Sequence, residues 1–201
     1  MSPDALARAA ALVPDRGRPV VAVDGVDGAG KTTFADALAE RLRGQGRDVM
    51  RASIDGFHHP LAHRRAEGRT SQAVFERHFD YAAQRRELVE PWRAGPPTSY
   101  RIAVHDVVTD EMLDLPPRPV PAEGVLVLDG LFCQRPELAG CWDLVILLDV
   151  PFEVSVARVA ARDGSVNDVD HPDVRRYVEA QRTYFRSCDP RGRADLVIDN
   201  R

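Results

Sequence analysis

Val20-Val21-Ala22-Val23-Asp24-Gly25-Val26-Asp27-Gly28-Ala29-Gly30-Lys31-Thr32-Thr33 is the stretch from which the fold can be read. Its first four residues are apolar and mostly β-branched, the composition of a buried strand. From Gly25 to Thr32 every fixed position of the GxxxxGK[ST] phosphate loop, the Walker A pattern, is filled. Behind the loop, Phe34, Leu38 and Leu42 recur every four residues with small alanines between them, which predicts a helix that Gly44 stops. Strand, glycine loop and helix thus follow in the order that lets backbone N–H groups at a helix N-terminus cradle phosphate oxygens. Gly25, Asp27, Gly28, Ala29, Gly30, Lys31, Thr32 and Thr33 are the candidate nucleotide-binding residues. Lys31 is expected to reach the β- and γ-phosphates, and the Thr32 hydroxyl to ligate Mg²⁺. Lys31 is also the only lysine in the chain; every other cationic side chain is an arginine.

The whole composition narrows the class. A chain of 201 residues suits one domain, expected to run over 1–201. With 44% hydrophobic and 29% charged residues it reads as an ordinary water-soluble protein. A net charge of −4 argues against nucleic acid as a partner held by bulk electrostatics. No apolar run approaches the length of a membrane helix, and Ser2-Pro3-Asp4 followed by Ala5 to Val13 reads as a capped helix rather than a signal peptide. Cys133, Cys141 and Cys188 are odd in number and form no CxxC pair, which predicts a reduced, cytoplasmic setting. Pro116-Pro117-Arg118-Pro119-Val120-Pro121 is the most linker-like segment but too short to be a domain boundary.

Further along, Val49 to Ile54 predicts a second strand running into Asp55-Gly56-Phe57-His58-His59-Pro60. Ligands in open α/β sheets sit beyond the carboxyl ends of the strands. Asp55 is therefore placed to take a proton from an attacking hydroxyl or to hold Mg²⁺. His58, His59 and His63 lack further ligands at zinc spacing, so a loop or substrate lid is the expectation there. Asp80 to Ala94 has helical spacing, with Tyr81, Leu88, Val89 and Trp92 read as core, and Tyr100 to Val108 reads as extended. Val125 to Gly130 is a third buried strand, and its Asp129 has the position of a metal-holding Walker B carboxylate. Leu144 to Leu148 is the fourth strand, and a helix after Pro151 carries Arg158 and Arg162 on one face. Two such arginines before a Gly/Asp-rich loop suit a lid at about 158–175 that clamps phosphoryl oxygens. His171-Pro172 opens another helix, and Leu196-Val197-Ile198 is a last short strand. Alternating strands and helices predict a parallel, doubly wound sheet.

With these motifs in place, the chain resembles the uridine kinase and phosphoribulokinase group of P-loop kinases over nearly its whole length. Asp55-Gly56-Phe57-His58 is similar to the group's Asp-x-Phe-Tyr element, whose Asp is catalytic. Phe79-Asp80 is similar to its Phe-Asp element, whose Asp contacts sugar hydroxyls, and Tyr100 and His105 keep the spacing of the pair that flanks a nucleobase. Asp129-Gly130 stands where Glu-Gly is usual, and Asp189-Pro190 and Ala194-Asp195 echo the C-terminal signatures. The chain departs from the pattern at Asp27 (usually Ser, and reminiscent of thymidylate kinases), at His58 (usually Tyr) and at Arg101 (usually Asp).

The resemblance implies an α/β, P-loop kinase-type, doubly wound, mostly parallel sheet with flanking helices and a small lid. It implies ATP and Mg²⁺ as cofactors and transfer of the γ-phosphate to a hydroxyl, foremost the 5′-hydroxyl of uridine or cytidine. Asp55, Lys31, Arg158 and Arg162 would be catalytic, and Asp55, Phe57, His58, Asp80, Tyr100 and His105 would bind the acceptor. Thr32, Asp55 and Asp129 would hold the metal. The open alternatives are another alcohol (pantothenate, nicotinamide riboside, glycerate or a sugar), a regulatory NTP-binding module, or an interaction protein with a relic loop. A homo-oligomer is compatible with all of them.

Overall fold

The computed structural model describes residues 3–66 and 68–201. Five parallel strands form the central sheet: β1 (Val20–Gly25), β2 (Val49–Ser53), β3 (Val125–Gly130), β4 (Leu144–Asp149) and β5 (Leu196–Asp199). Their spatial order is β2-β3-β1-β4-β5. The register places Asp129 opposite both Val23 of β1 and Ser53 of β2, so three strands end level at one edge of the sheet.

Strand alternation explains the two covered faces. Val21, Val23 and Val127 point to one side, where α1 (Pro3–Leu12) and the Phe34, Leu38 and Leu42 stripe of α2 (Lys31–Gly44) pack on them. Val20, Ala22, Leu126 and Leu128 point to the other, against Leu88, Trp92 and Tyr100. The proposed Ser2 cap of α1 lies outside the described residues. The helix predicted over Asp80 to Ala94 runs over residues 81–94 (α3), with a π turn at Arg85–Val89. Pro91 has no N–H to offer the Glu87 carbonyl, and its ring crowds that oxygen. The carbonyl is used instead by the Arg101 N–H at 2.8 Å. The helices α4 (Phe152–Asp163) and α5 (Pro172–Cys188) connect β4 to the C-terminal strand, joined by residues 164–171.

Two expectations need correction. The second strand stops at Ser53, one residue early, because Ser53 caps a 3₁₀ turn over Ile54–Phe57 with its side chain. The proline-rich segment is not a linker: Arg118–Pro119 pairs antiparallel with Ser99–Tyr100, and Val120 is buried. Tyr100 to Val108 is extended only in pieces, with His105–Asp106 pairing with Glu111–Met112. The three cysteines are free, buried thiols. No helix among the described residues is long and apolar enough to cross a membrane.

Gly130 closes β3 directly beneath the turn that carries Asp55. A Cβ there would lie 2.7 Å from the Ile54 Cβ and closer still to its Cγ2. Gly130→Ala is expected to cost ~1–3 kcal/mol of stability by overpacking. Urea unfolding measures it, and an unchanged midpoint would show that the turn yields freely.

Candidate active site

The phosphate loop is built by close approach. At Gly28 (φ 70°) a Cβ would meet the Ser155 carbonyl of α4 at 2.5 Å, so only glycine lets the loop lie against that helix. Gly30 caps α2 in the left-handed region, φ 85°. Lys31 Nζ donates to the Val26 carbonyl at 2.8 Å within the loop. Asp27 faces α4 and α5: its N–H donates to Gln181 Oε1 at 2.8 Å, and its Oδ1 lies 3.9 Å from Arg162 Nη2. Gly25 and Ala29 sit behind the loop, where the Ala29 carbonyl accepts from Asn200 Nδ2 at 2.9 Å.

Asp129 is almost fully buried and has both carboxylate oxygens engaged. Thr32 Oγ1 donates to Oδ2 at 2.7 Å, and Arg51 Nη2 donates to Oδ1 at 2.6 Å. Arg51 also donates to Asp36 Oδ1 at 2.9 Å. This hydroxyl–carboxylate pair at the loop is a donor set of the hard-oxygen kind that Mg²⁺ prefers. Nothing in the chain pattern singled out Arg51; an arginine inside an apolar strand was the available signal.

A cleft of about 590 Å³ opens over the loop and the level strand ends. Gly28, Gly30, Lys31, Thr32 and Thr33 line one side, and Asp55, His58 and Asp129 another, with Arg158 and Arg162 facing in from α4. Asp55 is exposed to this cleft, and His58 Nδ1 sits 3.0 Å from its carbonyl oxygen. Arg158 is steadied by the Asn200 carbonyl at 2.9 Å. The cleft also takes Ser53, Arg64, His78, Phe79, Tyr177 and Gln181, which motif reading did not select as site residues.

Four expected acceptor residues are not on its wall. Phe57 is buried in the core, and Tyr100 is buried with its ring edge-on to Trp92. Both are apolar enough that burial beneath the site outweighs exposure in it. Asp80 caps α3, accepting from the Ala83 N–H at 2.8 Å. His105 is buried, with Nε2 3.1 Å from Asp110 Oδ1. Among the described residues no group of three or more His, Cys, Asp or Glu is arranged to hold a metal ion; His59 and His63 simply stack, 4.0 Å between ring centroids.

Behind the loop, fully buried Asp24 accepts from the Tyr184 hydroxyl, from Gln134 Nε2 at 3.2 Å and from the Gly25 N–H at 2.8 Å. Burial nevertheless raises its pKa above the usual carboxylate value. His78, on the cleft wall, is pushed down to about 4, by burial first and then by the positive charges of His58, Arg64 and Arg176.

Two measurements follow from this geometry. Arg51→Gln leaves Asp129 short of its buried cation and is expected to cost about 3 kcal/mol. Asp36→Asn, which breaks only the exposed half of the bridge, should cost under ~1 kcal/mol by urea unfolding; equal losses would show that Asp129 does not depend on Arg51. Because folded His78 holds its proton less tightly than the unfolded chain does, the unfolded state binds more protons between about pH 4 and 6.5. Stability is therefore expected to fall as pH drops through that window, and His78→Gln to flatten the fall; a slope unaltered by the substitution would overturn the assignment.

Residues 20–200 match the Phosphoribulokinase / Uridine kinase family. The chain is 32% identical over 158 residues to a thymidylate kinase of Methylobacillus flagellatus, an alignment covering 73% of this chain and 71% of that one. It superposes on a possible uridine kinase from Bacillus stearothermophilus with a TM-score of 0.75 at 24% identity, over 98% of both chains. Against phosphoribulokinase from Rhodobacter spheroides the TM-score is 0.60 at 16% identity, over 91% of this chain and 70% of that one. These structural likenesses show the P-loop kinase fold, a mostly parallel five-stranded sheet with flanking helices. With its phosphate loop and level strand ends accounted for, the chain belongs to the phosphoribulokinase/uridine kinase family of P-loop kinases.

Proposed function

We propose that this protein transfers the γ-phosphoryl group of ATP to a hydroxyl of a small metabolite, with the 5′-hydroxyl of uridine or cytidine as the acceptor suggested by the family pattern. The observation that carries the reading is that Asp55 shares one cleft with Lys31, Thr32 and Asp129. The loop N–H groups and Lys31 hold the β- and γ-phosphates. Thr32 and Asp129, joined by Asp55 on the facing wall, are the residues that would hold Mg²⁺, which when bound neutralises charge on the phosphates. Asp55 orients the acceptor hydroxyl and takes its proton as the oxygen bonds to the γ-phosphorus. The bridging oxygen leaves on ADP with the bonding electron pair. Arg158 and Arg162 stabilise charge on the transferring oxygens, and the segment at about 158–175 closes over them to exclude water. His58, whose Nδ1 lies 3.0 Å from the Asp55 carbonyl oxygen, is an acceptor-side group. Phe57 and Asp80 support that wall from within, and Tyr100 and His105 do so at greater remove. The buried, unpaired thiols suit a reducing, cytoplasmic setting.

A second reading takes a nucleotide phosphate as acceptor. Asp27 in the loop and the identity to a protein named thymidylate kinase favour it.

Asp55→Asn is expected to lower turnover by ~10²–10⁴-fold, while ATP binding by calorimetry changes little; near-normal turnover would remove Asp55 from its role. ADP release is to be followed with uridine, cytidine, pantothenate, nicotinamide riboside, glycerate, free sugars and thymidylate. Stimulation by thymidylate alone would move the acceptor from hydroxyl to phosphate, and stimulation by none would leave a nucleotide-binding module.

A further inference from the structure

The end of the cleft away from the phosphate loop adjoins a small side pocket, and the two share Arg64, Val74, His78 and Tyr177 as wall. Arg64, Arg65, Arg69 and Arg176 converge on this pocket, and none of the described residues that line it is acidic. Among the described residues, two carboxylates stand outside the wall. Asp173 lies 3.3 Å from Arg69, with both groups largely exposed, so solvent screens the pair. Asp110 lies 3.7 Å from Arg64, but the same oxygen also accepts from the Leu61 N–H at 2.7 Å and faces His105 Nε2 at 3.1 Å. Among the described residues, no carboxylate comes within ion-pair distance of Arg65 or Arg176. Arg176 instead packs its guanidinium over the Tyr177 ring at 4.7 Å and donates to the Tyr177 hydroxyl at 3.1 Å, leaving a buried Nε without an acceptor.

Among the described residues, four arginines thus line a hollow that has no carboxylate in its wall. On the shared wall, burial first and then the charges of His58, Arg64 and Arg176 hold the His78 pKa down. The triphosphate end of the cleft has its own cations in Lys31, Arg158 and Arg162. The pocket lies on the acceptor side: His58 contacts Asp55, and the His58 and His78 rings lie 6.0 Å apart. A planar guanidinium fork is matched to the paired oxygens of a carboxylate or phosphate. A neutral nucleoside offers these arginines hydrogen-bond acceptors but no counter-charge.

We propose that the side pocket binds an anionic group on the acceptor, so that the substrate is an alcohol carrying a carboxylate or phosphate, its hydroxyl at Asp55 and its charge among Arg64, Arg65, Arg69 and Arg176. The inference rests on the kinase reading and narrows its acceptor. It makes Arg65 and Arg176 specificity residues, remote from the transferring phosphoryl group.

The test uses matched acceptors that differ only in the charged group. Glycerol against glycerate and panthenol against pantothenate probe a carboxylate, and ribose against ribose 5-phosphate probes a phosphate. ADP release with ATP·Mg²⁺ is followed for each, in the wild type and in the Arg65→Gln/Arg176→Gln double variant, with folding checked by thermal melting. Charged hydrogen bonds of this kind predict that an anionic acceptor exceeds its neutral partner by roughly tenfold or more in kcat/KM. The double variant should lower that ratio by a similar factor through KM, and Arg65→Lys/Arg176→Lys should restore part of it. If neutral acceptors or uridine serve as well as the anionic ones, or if the double variant keeps the preference, the inference falls while the kinase reading stands. If no alcohol accelerates ADP release, the kinase reading falls and takes the inference with it.

Discussion

The contact on which the site depends is the one between the Thr32 hydroxyl and the Asp129 carboxylate. It joins the first turn of α2 to the end of β3, across the register that sets Asp129 level with β1 and β2. A carboxylate that far inside the sheet edge is costly unless each oxygen is bonded. Arg51 meets that need on the other oxygen while reaching out to Asp36 in α2. The same network therefore closes the helix onto the sheet and presents an oxygen pair at the loop. Remove its cation and both fold and site lose a support.

The second organising contact runs from α5 to the loop. Gln181 accepts the Asp27 N–H, and one turn further on Tyr184 donates to Asp24. The helix bearing Tyr177 on the cleft wall is thus held to both ends of the loop's first half. Asp24 lies directly behind an anion-binding nest, where an ionised carboxylate would oppose phosphate. Burial pushes it toward the neutral form, which limits that opposition.

Much of this was legible beforehand. The strands that carry the loop, Asp129 and the start of α4 are short, apolar and followed by Asp or Gly, so each announced itself by composition alone. What stayed hidden depended on three-dimensional partners. Phe57 and Tyr100 occupy motif positions, yet their rings gain more by packing against Leu88 and Trp92 than by facing the cleft. Arg51, His78 and Gln181 become site residues only because β2, the turn before Phe79 and α5 converge over the loop. The π turn in α3 had a visible cause in Pro91, but its use, a bond to Arg101, needed the neighbouring loop. The proline-rich stretch misled because edge strands tolerate proline, as Arg118–Pro119 does.

The solitary lysine, folded onto the Val26 carbonyl inside the loop, has a chemical corollary. Arginine does not acylate under conditions that modify a primary amine, so among side chains acylation has one target, the Lys31 ε-amine, distinct from the terminal α-amine. The degree of labelling localised to that one side chain by peptide mapping would then report on whether the phosphate loop is filled, without background from other side chains.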